Sequence, residues 1–266
     1  MGHYYQQTET GVIPMHFIEM TSRPGELRPT RITDVRKWWK EKRVVVPSVT
    51  TVQNVLAKDA LVNWKIDQHL EQAWIVASHP DFDQTKLLDS FPDFKDEVKR
   101  LTELQMDIAP SAGSDLHGLM ELYVNSELTT ENENYNLCYK VFDKIYQTTG
   151  MDDWNAERNF VADLGYGGQI DLSNDAWIID YKTKQTADKF KPGKMAYDDH
   201  RVQLAAYREG LGLSQARCAN VFICLEDGQI DFHEHAESDL GKGWELFTHA
   251  LSIWQLQNGW RERCLN

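Results

Sequence analysis

The stretch ERNFVADLGYGGQIDLSNDAWIIDYKTKQ, residues 157–185, carries the clearest structural pattern in the chain. Its apolar and aromatic residues form three short segments, at 157–164, 168–172 and 176–182, and a Ser-Asn-Asp turn joins the last two. Short apolar segments bounded by turn residues are typical of β-strands. The stretch therefore predicts three consecutive strands of one sheet.

Helical patterns surround these strands. The spacing of apolar residues predicts helices at residues 49–56, 60–78, 93–107, 115–128, 135–146, 197–210 and 237–257. Residues 111–114, Ser-Ala-Gly-Ser, predict a turn, and residues 217–225 and 229–233 predict a second hairpin. This order predicts an α/β fold in which a mixed central sheet is flanked by helices, with a helical N-terminal portion. We expect a mainly helical N-terminal region at 1–110, packed on a core formed by 111–266.

The charge of the chain is unevenly distributed. There are 28 Lys and Arg residues against 41 Asp and Glu residues, so the formal net charge is −13, which argues against a protein that coats nucleic acid indiscriminately. Residues 21–65 nevertheless contain ten basic and four acidic residues, a local charge of +6 that leaves −19 for the rest. Arg36, Lys37 and Trp38 lie in this segment, and cations beside an aromatic ring suit stacking on bases next to a phosphate track. A solvated helix end with core tryptophans explains the same pattern equally well.

Other features narrow the class of protein. No stretch approaches the roughly 18 apolar residues needed to cross a bilayer, and the N-terminus lacks the pattern of a secretory signal, so we expect a cytoplasmic protein with no membrane partner. The four cysteines include no CxxC pair, and the spacing of Cys218 and Cys224 with His233 and His235 fits no common zinc pattern, which predicts free buried thiols rather than a zinc or iron–sulfur site. His233 and His235 alternate on a predicted strand and are expected to face solvent.

Three acidic residues and a lysine mark the predicted strands. Glu157 begins the first segment, Asp171 is the next-to-last residue of the second, and Asp180 and Lys182 share one face of the third because they are two residues apart. A carboxylate at the end of a buried strand costs free energy unless it is paired or binds a metal, and oxygen ligands suit Mg²⁺, with Mn²⁺ as a substitute. An exposed ion pair is the alternative for the strand end. The residues that compete with Glu157 for its place are Asp152, Asp153 and Asp163.

Three motifs in a fixed order resemble those of a known superfamily. The motifs are GGQID (167–171), IIDYKT (178–183) and QLAAY (203–207), and His117 precedes them on a predicted helix. Together they resemble the PD-(D/E)xK nuclease superfamily, in particular its RecB-like exonuclease branch. The resemblance covers residues 113–212 and implies a restriction-endonuclease-like fold that hydrolyses DNA with a divalent metal.

The resemblance also implies a role for each matched residue. Lys182 would be the catalytic lysine, which orients or deprotonates the attacking water, and Gln203 and Tyr207 match a QxxxY motif that helps to hold the DNA strand. The residues that would surround a Mg²⁺ or Mn²⁺ ion are His117, Glu157, Asp171, Asp180 and, through its carbonyl, Tyr181. If these carboxylates crowd together without metal, at least one of their pKa values should be raised.

A second motif lies in the N-terminal third. VVVPSVTTVQNVL, residues 44–56, resembles the PSVT segment that precedes the nuclease core in phage exonucleases and the mitochondrial genome maintenance exonuclease, which act on free DNA ends. We therefore expect Ser48 and Thr50, and Lys184 in the basic connection after the strands, to contact DNA. The resemblance further implies a single-strand annealing protein as partner, a homo-oligomer and, for a phage protein, a bacterial host cell.

Two alternatives to an exonuclease remain. An endonuclease of the same superfamily would cut circular single strands, which an exonuclease cannot do. A non-catalytic DNA-binding protein would retain the fold without cleaving DNA.

Overall fold

The computed structural model of the chain describes residues 3–20, 23–56, 59–79 and 91–260. The strands within these ranges are β1 (Tyr4–Thr8), β2 (Gly11–Pro14), β3 (Phe17–Met20), β4 (Arg23–Pro29), β5 (Val45–Pro47), β6 (Asn155–Ala162), β7 (Tyr166–Ser173), β8 (Trp177–Lys184), β9 (Arg217–Cys224) and β10 (Ile230–Glu234). The α-helices are α1 (Ile32–Lys40), α2 (Val49–Gln53), α3 (Asp59–Ala77), α4 (Phe91–Val124), α5 (Tyr135–Thr149), α6 (Asp198–Gly210) and α7 (Glu237–Asn258). None of these described helices is both long and apolar enough to cross a bilayer.

A five-stranded mixed sheet is the centre of the fold. Its strand order is β10-β9-β8-β7-β6, with β8 and β9 parallel and the other neighbours antiparallel. The three strands predicted from residues 157–185 are β6, β7 and β8, and the predicted second hairpin is β9 and β10. The predicted α/β class, a mixed central sheet flanked by helices, is confirmed.

Helices cover both faces of this sheet. Gln203 on α6 bonds to Lys182 on β8, and the ring of His117 on α4 contacts the ring of Tyr181, with 5.6 Å between centroids. Because successive residues of a strand point to opposite faces, α6 and the part of α4 that begins at His117 lie on opposite sides of β8. The C-terminal part of β8 thus contacts side chains of both helices.

The chain divides into two compact units, Met1–Leu56 with His117–Asn266, and Ala57–Leu116. The second unit contains α3 and α4 as far as Leu116, and Val98 and Thr102 in this part of α4 are buried. Every residue of the candidate site described below belongs to the first unit.

The predicted turn at residues 111–114 is wrong, because these residues continue α4. Two predicted helices, 93–107 and 115–128, are therefore one helix that ends at Val124. Turn-forming residues cost a helix only about 0.5–1 kcal/mol each, so their composition is a weak guide that the rest of the fold can override.

The N-terminal segment contains five strands that the sequence analysis did not predict. Strands β2, β1 and β5 form one sheet, and β3 pairs with β4. Tyr4 of β1, Val45 of β5 and Val49 of α2 are buried in the same cluster as Ile170 and Ile178 of the central sheet. The predicted helix after Ser48 is confirmed, and the Ser48 hydroxyl caps it by accepting a hydrogen bond from the Thr51 backbone N–H. The functional division at residue 110 stays a prediction.

Helix α7 packs closely on α6 at Gly243. A Cβ atom there would lie 2.7 Å from the carbonyl oxygen of Arg201. Gly243→Ala is therefore expected to lower the free energy of unfolding by about 1–3 kcal/mol through overpacking. Gly241→Ala, in the same helix with no described atom within 4 Å of the new Cβ, should instead raise it by up to about 1 kcal/mol. Urea unfolding of the two variants measures this difference, and equal effects would contradict the close approach.

Candidate metal centre

The central sheet opens between β7 and β8, and this opening creates the site. β7 pairs with β6 along nearly its whole length, but with β8 only at Leu172↔Ile179 and Ser173↔Ile178. The next pair in that register would be Asp171 and Asp180. The two carboxylates therefore lie where the ladder ends and the strands separate.

Asp171 takes over a backbone hydrogen bond at this point. Its Oδ2 atom accepts from the backbone N–H of Tyr181 at 2.6 Å. Its Oδ1 atom lies 3.5 Å from Nδ1 of His117. The side chain of Asp171 thus ties β7 to β8 through the first oxygen and approaches helix α4 with the second.

Three of the predicted ligands come together. One possible ligand atom from each of His117, Glu157 and Asp171 lies within 4.8 Å of the other two. Within the described residues, these three side chains form a group that could hold a metal ion. Glu157, rather than its competitors upstream or downstream, is the carboxylate that β6 supplies. An imidazole and carboxylate oxygens at this separation fit a divalent cation.

Glu157 adopts an unusual backbone conformation. Its φ angle is +48°, in the left-handed region that a residue other than glycine rarely adopts. The flanking pairs Ala156↔Leu172 and Arg158↔Ile170 place it across from Asp171. Strain of this kind persists where surrounding structure holds it and is concentrated at functional sites.

The acidic groups of the site have shifted pKa values. Burial and then the charge of Asp171 raise the pKa of Glu157 to about 7. Burial is also the main reason that the pKa of Asp180 rises to about 6, although the ammonium of Lys182 opposes the shift. The expectation that at least one carboxylate of the cluster has a raised pKa is confirmed, with burial a larger cause than mutual repulsion.

His117 responds to the same charges. Burial by itself would lower its pKa, but the hydrogen bond and charge of Asp171, with the charges of Asp180 and Glu157, outweigh burial and raise the pKa. The ring is therefore held beside negative charge, which is the environment in which a cation would replace its proton.

Asp180 is held differently from the other carboxylates. It is 3% exposed, and its Oδ2 atom accepts from Nζ of Lys182 at 2.7 Å and from Nδ2 of Asn220 at 2.7 Å. Asp180 lies outside the three-residue group, so its role as a metal ligand stays a prediction, as does that of the Tyr181 carbonyl.

Lys182 is positioned by a chain of hydrogen bonds from α6. Its ammonium donates to Oε1 of Gln203 at 3.1 Å, and Nε2 of Gln203 donates to the hydroxyl of Tyr207 at 2.8 Å. Burial lowers the pKa of Lys182, but Asp180 and Asp171 outweigh burial and raise it. Lys182 is therefore protonated beside Asp180, and Gln203 and Tyr207 place its ammonium. Their predicted contact with DNA stays a prediction.

The predicted DNA-contacting residues of the basic segment differ in exposure. Arg36 and Lys37 on α1 are exposed, and Arg36 donates to the carbonyl of Asn258 at 3.1 Å. Trp38 is half-buried against the core, and the Arg43 guanidinium lies 4.7 Å from the centroid of its ring. Trp38 thus packs against the core, and its stacking on DNA stays a prediction.

The other predicted contacts lie close to the central sheet. Ser48 is buried and bridges to Gly167 of β7, and its hydroxyl is used in the cap of α2. Thr50 is exposed on the first turn of that helix, and Nζ of Lys184 lies 5.4 Å from the ring centroid of Tyr197. Their contacts with DNA remain predictions.

The sequence analysis missed two residues near Asp180. Asn220 is fully buried on β9, and its Oδ1 atom lies 2.8 Å from Nε2 of His235. The expectation that His235 faces solvent is wrong: it is 8% exposed, because it follows the end of β10 and its backbone N–H bonds to the carbonyl of Cys218. The available signal was a lone amide in the apolar run CANVFIC, since a buried polar group needs a partner.

Glu157→Gln is expected to remove a pH-dependent loss of stability from the metal-free protein. The pKa of Glu157 is about 7 in the folded chain against an ordinary 4.5. Between these values the folded state retains a proton that the unfolded state has released, so the contribution of Glu157 to stability falls as pH rises from about 4.5 to about 7. In chelator, the variant should therefore melt above the wild type near neutral pH, and the difference should shrink towards pH 4.5.

Thermal melts across this range measure the effect. Glu245→Gln, at an exposed position on α7, removes the same charge from solvent and is the matched control. A Glu157→Gln difference that stays constant with pH would contradict the raised pKa.

Comparisons with known proteins give a limited result. No protein-family model and no curated protein matches the chain. Among solved structures, a protein of Eubacterium rectale described as a candidate exonuclease is 14% identical with a TM-score of 0.39, over 57% of this chain and 68% of that one. LHK-Exo, an alkaline exonuclease of Laribacter hongkongensis, is 15% identical with a TM-score of 0.32, over 47% and 68%. SSO0001 is 16% identical with a TM-score of 0.30, over 71% and 84%. Values this low leave the function to be argued from the site.

Proposed function

We propose that the chain is a metal-dependent deoxyribonuclease, and more narrowly an exonuclease that hydrolyses phosphodiester bonds at DNA ends. The observation that carries the proposal is the convergence of His117, Glu157 and Asp171, with possible ligand atoms within 4.8 Å of one another. Beside it, β8 presents the ion pair of the buried Asp180 with the half-buried Lys182. Acidic residues on neighbouring strands beside a lysine support the proposal, because the PD-(D/E)xK motif uses residues of these types together.

The donor set suits Mg²⁺, with Mn²⁺ as a substitute, because carboxylate oxygens dominate it. A divalent cation bound there would lower the pKa of a coordinated water and stabilise the charge that builds on the phosphate. His117, Glu157 and Asp171 would hold the cation, and Asp180 and the Tyr181 carbonyl would complete its surroundings.

Lys182 has a distinct role in this proposal. Its raised pKa keeps the ammonium charged in the metal-free protein, so it can donate a hydrogen bond to the attacking water or to a phosphate oxygen. Gln203 and Tyr207 hold it in place from α6. This favours orientation of the water over its deprotonation, the other role open to Lys182.

The preference for DNA ends rests on the N-terminal segment. Arg36 and Lys37 are exposed cations on α1, Thr50 is exposed at the start of α2, and Lys184 ends β8 beyond Lys182. Such groups suit a phosphate track leading to the site. A single-strand annealing partner and a homo-oligomer belong to the same proposal.

One assay tests the proposal against both alternatives. Linear and circular DNA of the same sequence, single- and double-stranded, are incubated with Mg²⁺, Mn²⁺ or chelator. We expect linear DNA to be degraded with either metal, and circular DNA to survive. Cleavage of circular single strands would favour the endonuclease. No cleavage of any substrate, with no heat of metal binding by calorimetry, would favour the non-catalytic protein.

A further inference from the structure

Asn220 occupies a position where a polar side chain is costly. It lies directly beside Asp180 in the parallel register of β8 and β9, and it is fully buried. The residues around it in β9, from Cys218 to Cys224, are otherwise apolar or thiol-bearing. A buried amide is destabilising unless its donors and acceptor find partners, so the partners of Asn220 account for its presence.

The hydrogen bonds of Asn220 join Asp180 to His235. Its Nδ2 atom donates to Oδ2 of Asp180 at 2.7 Å and lies 3.3 Å from the Asp180 carbonyl oxygen. Its Oδ1 atom lies 2.8 Å from Nε2 of His235. An ionised carboxylate only accepts hydrogen bonds. The amide must therefore turn its nitrogen to Asp180 and its oxygen to His235.

This orientation determines which nitrogen of His235 carries the proton. The Asn220 oxygen only accepts, so Nε2 of His235 must donate to it. Burial, with the nearby charge of His233, lowers the pKa of His235 to about 4, and the ring is neutral near pH 7 with its single proton on Nε2. The backbone N–H of His235 is itself anchored on the Cys218 carbonyl at 2.9 Å. The chain of hydrogen bonds from Asp180 through Asn220 therefore ends on a buried residue whose backbone is held by β9.

Both hydrogen bonds that reach the Asp180 carboxylate within the described part of the chain arrive at Oδ2, one from Asn220 and one from Lys182. The lysine must be free to turn towards water or phosphate during the proposed reaction. The amide has no such task, and it can keep its hold on Oδ2 throughout.

We propose that Asn220, oriented by His235, is a positioning residue that holds the Asp180 carboxylate in place for a divalent cation. This inference rests on the proposed function. Asn220 acts only through Asp180, and His235 only through Asn220. Outer partners of metal ligands typically contribute about 10- to 100-fold to metal affinity or activity.

The test measures Mn²⁺ affinity by calorimetry, together with kcat and KM on linear DNA. Asn220→Leu keeps the approximate volume of the side chain and removes the amide. We expect a loss of Mn²⁺ affinity of about 10- to 100-fold, and a larger effect on kcat than on KM. Ser173→Ala is the matched control, because Ser173 is equally buried on β7 and is not bonded to Asp180. It should keep the wild-type affinity.

A second pair of variants keeps the test decisive if Asn220→Leu does not fold. His235→Phe retains a ring and removes the donor, whereas His235→Gln retains an N–H that can reach Asn220. We expect His235→Phe to weaken Mn²⁺ binding and His235→Gln to restore affinity towards the wild type. A merely structural role would make the two variants differ in melting temperature without separating their metal affinities.

The outcomes distinguish this inference from the proposed function. A wild-type protein that neither binds Mn²⁺ nor cleaves DNA would overturn the proposed function. A wild-type protein that does both, with folded Asn220→Leu or both His235 variants retaining its Mn²⁺ affinity, would overturn the positioning role alone.

Discussion

Replacing Lys182 by methionine is expected to slow the cleavage of linear DNA at least about a hundredfold, the size of effect seen when one electrostatic catalyst is removed. Methionine keeps much of the length of the side chain but carries neither charge nor donor. The ammonium of Lys182 lies 2.7 Å from Asp180, at the strand end beside the candidate metal centre. Single-turnover rates at saturating Mg²⁺ measure the loss.

The binding of DNA should survive this change, because only one of several cations is removed and the other cations of the proposed phosphate track remain. Lys140→Met, at an exposed position on α5, controls for the loss of a positive charge. Methionine also leaves the buried Asp180 without its counterion, which is destabilising, so melting curves must show that the variant is folded at the assay temperature. A folded Lys182→Met protein that cleaves at the wild-type rate would remove Lys182 from the mechanism.

Asp171→Asn is expected to abolish both metal-dependent stabilisation and detectable cleavage. Asparagine retains an oxygen that can accept the hydrogen bond from the Tyr181 backbone, which Asp171 now accepts at 2.6 Å. The local link between β7 and β8 is therefore preserved while the charge that faces His117 and Glu157 is lost. A ligand stabilises a protein in proportion to the logarithm of its concentration over Kd, so the rise in Tm with Mn²⁺ reports the loss of affinity directly.

Asp175→Asn is the matched control for this experiment. It removes the same charge from the exposed turn between the same two strands, and it should leave the Mn²⁺-induced rise in Tm unchanged. If Asp171→Asn retains the wild-type rise, the cation binds elsewhere and the three-residue group is not the metal centre.

The acidic motifs were recognisable in the sequence because each lies in a short, strongly patterned strand. The segments around Glu157, Asp171 and Asp180 became β6, β7 and β8, and the resemblance had already grouped their carboxylates with His117. The separation of roles among the carboxylates was not recognisable. Whether Asp180 joins the group or pairs with Lys182 and Asn220 depends on side-chain directions at the point where two strands part.

The N-terminal strands show a second limit. β1 pairs with β5 across about forty residues of chain. The β1 segment, YYQQT, is too short for its pattern to predict a strand. Pairing between distant segments is stabilised by burial against the rest of the core, which local periodicity does not report. The helix after Ser48 was predictable because its cap is local. The Ser48 hydroxyl accepts from the backbone N–H of Thr51, only three residues along the chain.

The sequence by itself determined the α/β class, the central strands and the set of residues with the chemistry to bind a cation, because strand periodicity and motif order are properties of neighbouring residues. Only the tertiary structure decided that β7 and β8 separate at Asp171 and that Glu157 lies across from it in a left-handed backbone conformation. It also decided that Asn220 bonds to Asp180 and His235 to Asn220. Those arrangements depend on which strands become neighbours and in which register, and register is set by the packing of the whole core.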